Sequence, residues 1–178
     1  MSPPPFSVRR LAYADLPQVI AIERRAFTTP WSLAMFVLEL SKQSSVCLAA
    51  VRTDPGHPDD GRLLGYLICA RYDTIWHLMN VAVDPVHRGR GVGWGMLTAM
   101  IERAGPDEPY TLEVRESNVS AIRLYERLHF RTAGKRPRYY RDNGEDALIM
   151  WRTAETVALD TDPSRGWVGS DDPTLPPT

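Results

Sequence analysis

Between a strand-like run ending at Val83 and an apolar helical stripe beginning at Met96 lies Asp84-Pro-Val-His-Arg88-Gly-Arg-Gly-Val-Gly-Trp-Gly95. Glycines 89, 91, 93 and 95 recur at every second position. Glycine takes up positive φ readily and lets a backbone come close to a ligand. The N-terminus of the helix that follows offers free N–H groups and the positive end of a dipole, which together suit a phosphate. Two familiar phosphate loops do not fit. No GK[ST] follows, so a nucleotide-hydrolysing P-loop is excluded. A dinucleotide GxGxxG fails at Met96, although Glu113 stands where a ribose-binding acid would be sought. A tight strand–helix turn without a ligand is the plain alternative, and four glycines with two arginines in eight residues weigh against it.

Around this segment, apolar spacing predicts strands and helices in alternation. Strands are expected at Phe6–Leu11, Val46–Val51, Leu63–Ala70, Ile75–Val83 and Tyr110–Val114, with two more around Tyr139-Tyr140 and Ala147–Trp151. Asp15 can cap a first helix with Pro17 in its opening turn, and Ser32 a second helix to about Leu40. Further helices are expected after the glycines and over Asn118–Leu128. The pattern implies an α/β (α+β) fold, a mixed central sheet of about six to seven strands flanked by about four helices. The expected organisation is a flexible N-terminus over 1–5, one domain over 6–153 and a Pro/Asp-rich tail over 154–178, docked through Trp167.

Composition bears mainly on what the chain does not do. The 178 residues carry a formal net charge of −1, which argues against a bulk electrostatic hold on nucleic acid or anionic membrane. All but two of the 21 basic residues are arginine, the exceptions being Lys42 and Lys135. Such a bias also arises from a GC-rich genome, so position matters more than number. Cys47 and Cys69 lie apart with no CxxC, each in a strand-like run, and read as small buried hydrophobes. The opening MSPPPFSVRR lacks the apolar stretch of a secretory signal, and no apolar run reaches membrane-spanning length. A reduced cytoplasmic location, no metal and a monomer are expected.

Further motifs give the glycines a context. Arg88-Gly-Arg-Gly-Val-Gly93 fits the pattern [QR]-x-x-G-x-[GA] and follows Val83-x-Pro85. Downstream come Leu112-Glu-Val-Arg-Glu-Ser-Asn118, Ala121-Ile-Arg-Leu-Tyr125-Glu-Arg-Leu-His-Phe130, Arg136-Pro-Arg-Tyr-Tyr140 and Gly144-Glu-Asp-Ala-Leu-Ile-Met150. Ala26-Phe-Thr-Thr-Pro-Trp-Ser32 stands near the start. The series resembles the Gcn5-related N-acetyltransferase (GNAT) superfamily, and within it the RimI subfamily, over roughly residues 6 to 152. The resemblance implies acetyl-CoA as cosubstrate and, as substrate, a protein N-terminus, the N-terminal alanine of a small-subunit ribosomal protein.

The resemblance also assigns roles. It implies that Glu113 is the general base, that Tyr125 protonates the departing thiolate and that Asn118 hydrogen-bonds the cosubstrate. Val81, Ala82 and Val83 would lie along the pantetheine arm, and Arg88, Gly89, Arg90, Gly91, Val92, Gly93 and Trp94 around the pyrophosphate. Phe27, Trp31, Tyr139 and Tyr140 would form walls that orient the peptide N-terminus. Read without the family, Glu113 is a half-exposed strand residue, and Tyr125, on one helical face with Asn118, is a core tyrosine. Tyr139 and Tyr140, in an arginine-rich run, suit either a solvated connection or stacking on RNA. Burial beside the sheet is expected to raise the pKa of Glu113. Other functions compatible with the residues are acetylation of a small-molecule amine and a non-catalytic acyl-CoA-binding or RNA-associated module. The chain departs from the family pattern at Trp94, at Gly95 in place of a frequent alanine, and at His129 in place of a glycine.

Overall fold

The computed structural model describes residues 5–161. Most of the expected N-terminal segment, and the tail beyond 161 with Trp167, lie outside the described residues. Seven strands form one sheet: β1 (Phe6–Arg10), β2 (Ser45–Arg52), β3 (Leu63–Tyr72), β4 (Ile75–Val83), β5 (Tyr110–Arg115), β6 (Arg131–Arg136) and β7 (Ala147–Arg152). Their spatial order is β1-β2-β3-β4-β5-β7-β6. All neighbours are antiparallel except β4 and β5, which run parallel through the helical crossover between them.

The two faces of the sheet carry separate cores, as strand alternation requires. Along β2, Leu48 and Ala50 point into one and Cys47, Ala49 and Val51 into the other. The first face is covered by α3 (Val92–Ala104), through Met96, Leu97 and Met100, and by Tyr125 of α4 (Val119–Arg127). The second is covered by α1 (Leu16–Ala26), through Leu16, Val19 and Ile22, and by Phe36 of α2 (Leu33–Ser41). Phe36 is fully buried, with Trp31 and Tyr66 rings 5.3 Å and 5.5 Å away. Truncating a ring so enclosed costs about 3–5 kcal/mol. Both cysteines are free and buried, and burial pushes the Cys47 thiol up to about 11, so neither is a ready nucleophile. No described helix is long and apolar enough to cross a membrane.

Three expectations change. Ser32 caps α2 as predicted, its Oγ accepting from Met35 N, but the Asp15 carboxylate does not cap α1. It turns back to accept from Arg9 at 2.7 and 2.8 Å and from Ala12 N at 2.8 Å. Tyr139 and Tyr140 are not in a strand. β6 ends at Arg136, before Pro137 and the positive φ of Arg138 (48°) turn the chain away from β7, leaving both tyrosines in the connection. A fifth helix, α5 (Ala154–Thr161), occupies the first residues of the segment that composition sets apart as a tail. His129, at φ 69° where glycine would be unstrained, offers Nδ1 to Asp160 at 2.8 Å, and Arg131 pairs with the same carboxylate.

Candidate active site

β4 and β5 pair at only two positions, Trp76 with Tyr110 and His77 with Thr111. Beyond them β4 continues towards Val83 while β5 keeps its pairing with β7. A bulge widens the split: β3 residue Cys69 faces Leu78 and its neighbour Ile68 faces Asn80, so Met79 is the extra residue. The sheet is thus opened through its middle. The gap holds a cavity of about 400 Å³ whose wall includes Glu113, Tyr125, Asn118, Val81, Phe27, Trp31, Tyr139 and Tyr140. Ala82, Val83 and the glycine loop continue beyond this wall, at the C-terminal end of β4.

Glu113 stands on β5 with its side chain mostly covered. Its Oε2 lies 2.7 Å from His77 Nε2, and its Oε1 3.5 Å from an Arg136 guanidinium nitrogen. The His77 hydrogen bond outweighs desolvation and holds the carboxyl below the ordinary glutamate value. Burial therefore does not raise this pKa, contrary to expectation, because polar partners accompany it. Glu113 is a carboxylate at neutral pH.

Burial has the expected effect on a different glutamate. Glu23, at the end of α1, is 1% exposed and also lines the cavity. It accepts from Trp31 N at 2.7 Å, from Asn80 Nδ2 at 3.3 Å and from the Tyr66 hydroxyl. These donors are all neutral, and desolvation raises its pKa. One carboxylate thereby fastens the connection carrying Trp31 to the bulged part of β4.

Tyr125 packs its ring against Phe130 with centroids 5.8 Å apart, and burial pushes its phenol above the ordinary range. It stays protonated, a donor rather than a base. Asn118 is the N-cap of α4, not a residue within it; its Oδ1 accepts from Ala121 N at 3.2 Å. Both side chains nonetheless reach the same cavity.

The aromatic wall is held from both sides. Thr28, between α1 and α2, donates to Asp142 of the β6–β7 connection at 2.5 Å. Arg115 of β5 binds Asp142 at 2.7 Å and Glu145 at 3.2 Å, with its guanidinium 3.9 Å from the Tyr140 ring centroid. Glu23, His77 and Arg115 escape the sequence reading. Each had a faint signal: Glu23 interrupts an apolar helical stripe four residues after Val19, while His77 and Arg115 sit in strands that otherwise look like core.

The glycines divide by task. Gly89 and Gly91 have φ of 71° and 79°, and open space surrounds the Cβ each lacks, so backbone conformation alone requires them. Gly93 and Gly95 are packing positions, where a Cβ would press on Leu124 and Phe6. Among the described residues no side chain caps α3, leaving the N–H groups of its first turn available to an anion. Trp94 lies under the guanidinium of Arg127, 4.5 Å from its ring centroid.

A profile of the Acetyltransferase (GNAT) family matches residues 16–130, from the start of α1 to the end of the α4 segment. The chain belongs to the GNAT acetyltransferase family. A Bacillus subtilis relative, a putative [ribosomal protein bS18]-alanine N-acetyltransferase, is 34% identical over 155 residues, 83% of this chain and 95% of the relative. The Escherichia coli [ribosomal protein bS18]-alanine N-acetyltransferase is 35% identical over 148 residues, 81% and 95% of the two chains. The crystal structure of that E. coli acetyltransferase superposes with a TM-score of 0.71 at 32% identity, covering 83% of this chain and 92% of the other. Arabidopsis thaliana NAA60 in complex with acetyl-CoA shares the GNAT fold, with a TM-score of 0.74 at 20% identity over 84% and 99% of the chains.

Proposed function

We propose that this acetyltransferase moves an acetyl group from acetyl-CoA to the α-amine of a protein N-terminus, the N-terminal alanine of a small-subunit ribosomal protein. The observation that carries this reading is the clasp over the cavity. Thr28 and Asp142 join the two connections that bear Phe27, Trp31, Tyr139 and Tyr140, giving an approach walled by aromatic rings. Such an approach suits a chain end entering amine first. The ribosomal-protein alanine acetyltransferases among its relatives support the substrate class.

The residues present fit acetyl-CoA, which supplies an activated acyl thioester. The free edge of β4 at Val81, Ala82 and Val83 offers backbone groups to a pantetheine arm, and one N–H there would stabilise an oxyanion. Arg88, Gly89, Arg90, Gly91, Val92, Gly93 and Trp94 would surround the pyrophosphate, and Asn118 would bond to the cosubstrate. An α-amine has a pKa near 8, so a useful fraction is neutral at physiological pH. Its nitrogen attacks the thioester carbon, the C–N bond forms and the C–S bond breaks. Through a water molecule the proton lost by the amine passes to the base at Glu113, and Tyr125 gives its proton to the leaving sulfur.

The test is intact-mass measurement after incubation with acetyl-CoA and peptides beginning Ala-Arg, alongside free lysine and a polyamine. A peptide gaining one acetyl group on its α-amine is the expected result. Preferential acetylation of lysine or polyamine would overturn the reading in favour of a small-amine acetyltransferase. No transfer to any amine would favour a binding module.

A further inference from the structure

We infer that His77 and Glu113 act as a pair in which the imidazole Nδ1 of His77 receives the proton and Glu113 orients the ring. The inference rests on the acetyl-transfer reading and refines one step of it: the proton that reading assigns to Glu113 is held on His77, with Glu113 as its carboxylate partner. Its starting point is where basic lone pairs remain free in the cavity. Glu113 Oε2 is hydrogen-bonded to His77 Nε2 at 2.7 Å and Oε1 lies 3.5 Å from Arg136, and both partners weaken this carboxylate as a base. With Glu113 a carboxylate, the shared hydrogen bond takes its proton from Nε2, and the tautomer that makes this bond carries its lone pair on Nδ1. Among the described residues no protein group donates to Nδ1, and His77 lines the cavity.

Position favours the same assignment. His77 forms the last backbone pair between β4 and β5 before the strands part, so its ring is anchored at the apex of the cavity. Glu113 on β5 bonds the ring, Arg136 on β6 lies across that carboxylate, and the Tyr72 ring on β3 meets the imidazole edge-on at 6.5 Å, while Glu23, Arg115, Tyr125, Tyr139 and Tyr140 line the same cavity. Among the described residues, only Glu113 touches a ring nitrogen. This is the arrangement in which a carboxylate fixes a tautomer and pairs with the imidazolium once it forms.

The proton balance closes. As the C–N bond forms, the amine proton passes to an intervening water, and a water proton passes to Nδ1, giving an imidazolium beside the Glu113 carboxylate. The C–S bond breaks and Tyr125 protonates the thiolate. His77 then releases its proton to solvent and the tyrosinate takes one up, so one amine hydrogen ends on the coenzyme A thiol.

His77→Gln tests this, because a glutamine amide can still donate to Glu113 yet accepts no proton near neutral pH. The expected result is kcat about 100-fold lower, within the range that general-base catalysis supplies, with acetyl-CoA affinity and peptide KM within about threefold of the parent. The acid limb of the kcat profile should move to lower pH, because the base that remains is a carboxylate rather than an imidazole. Unchanged kcat and profile in H77Q, with Glu113→Gln inactive, would overturn the pair and leave Glu113 as sole base. Unchanged turnover in both variants would overturn the assigned base as well. Should H77Q lose its fold, ¹⁵N NMR of the unmodified enzyme decides: the Nε2–H tautomer of His77 supports the pair, and the Nδ1–H tautomer refutes it.

Discussion

The ring of Phe6 occupies the space beside Gly95 where a side chain would begin: a Cβ there would sit 2.8 and 2.9 Å from two ring carbons. The first strand and the crossover helix therefore meet through a missing methyl group. An alanine normally strengthens a helix by about 1 kcal/mol over glycine. Here overpacking against Phe6 opposes that gain. Gly95→Ala is expected to leave unfolding free energy unchanged or lower it by up to about 2 kcal/mol. In a Phe6→Ala background the same change should stabilise by about 1 kcal/mol. A double-mutant cycle by denaturant unfolding measures the difference, and a coupling below about 0.5 kcal/mol would refute the contact.

Thr28 and Asp142 hold together two connections that approach the cavity from opposite ends of the chain. Thr28→Val removes the donor while keeping the shape. One exposed hydrogen bond contributes about 0.5–1.5 kcal/mol, so KM for an Ala-Arg peptide is expected to rise about 3- to 10-fold. Acetyl-CoA affinity should stay constant, because the clasp lies away from the glycine loop. Calorimetric titration with coenzyme A beside steady-state kinetics checks both; an equal loss of coenzyme A affinity would contradict the assignment.

Local pattern made most of this fold readable. Alternation in β4 and the apolar stripe of α3 named their elements because each buries one face against a continuous core. Long-range partners were not readable. Tyr139-Tyr140 looked like a strand from its side chains, yet the backbone turns at Arg138, which pattern does not encode. Glu113 was legible through its motif, but its lowered pKa was not. That property depends on His77, 36 positions earlier, meeting it across the strand split. Glu23 was invisible for the same reason: its donors come from a loop, from β3 and from β4.

Tyr125→Phe separates the proton donor from the packing. The ring fills the same volume beside Phe130, so the variant should unfold within about 0.5 kcal/mol of the parent. Burial keeps the phenol protonated well above neutral pH, and its hydroxyl is the group that would meet the leaving sulfur. Turnover is expected to fall 10²- to 10⁴-fold with little change in KM, the range of one lost proton transfer. Rapid-quench measurement of a single turnover checks this, and an unchanged chemical step would assign the thiolate proton to solvent.

Two glutamates in one cavity should give stability profiles of opposite slope. Burial raises the pKa of Glu23, so the folded chain holds its proton more tightly than the unfolded one. Its contribution to stability is full below the unfolded value of about 4.5 and is lost as pH rises through the folded value. For Glu113 the His77 hydrogen bond lowers the pKa, so its contribution is present above about 4.5 and is lost as pH falls through the folded value. The unfolding free energy of the parent minus that of Glu23→Gln is therefore expected to decline as pH rises from about 4.5. The corresponding difference for Glu113→Gln should rise with pH below that point. Each slope is bounded by about 1.4 kcal/mol per pH unit for one proton. Urea unfolding between pH 3 and 8 measures both differences, and slopes of the same sign would show that Glu23 acquires a cationic partner that neutral Trp31, Tyr66 and Asn80 do not provide.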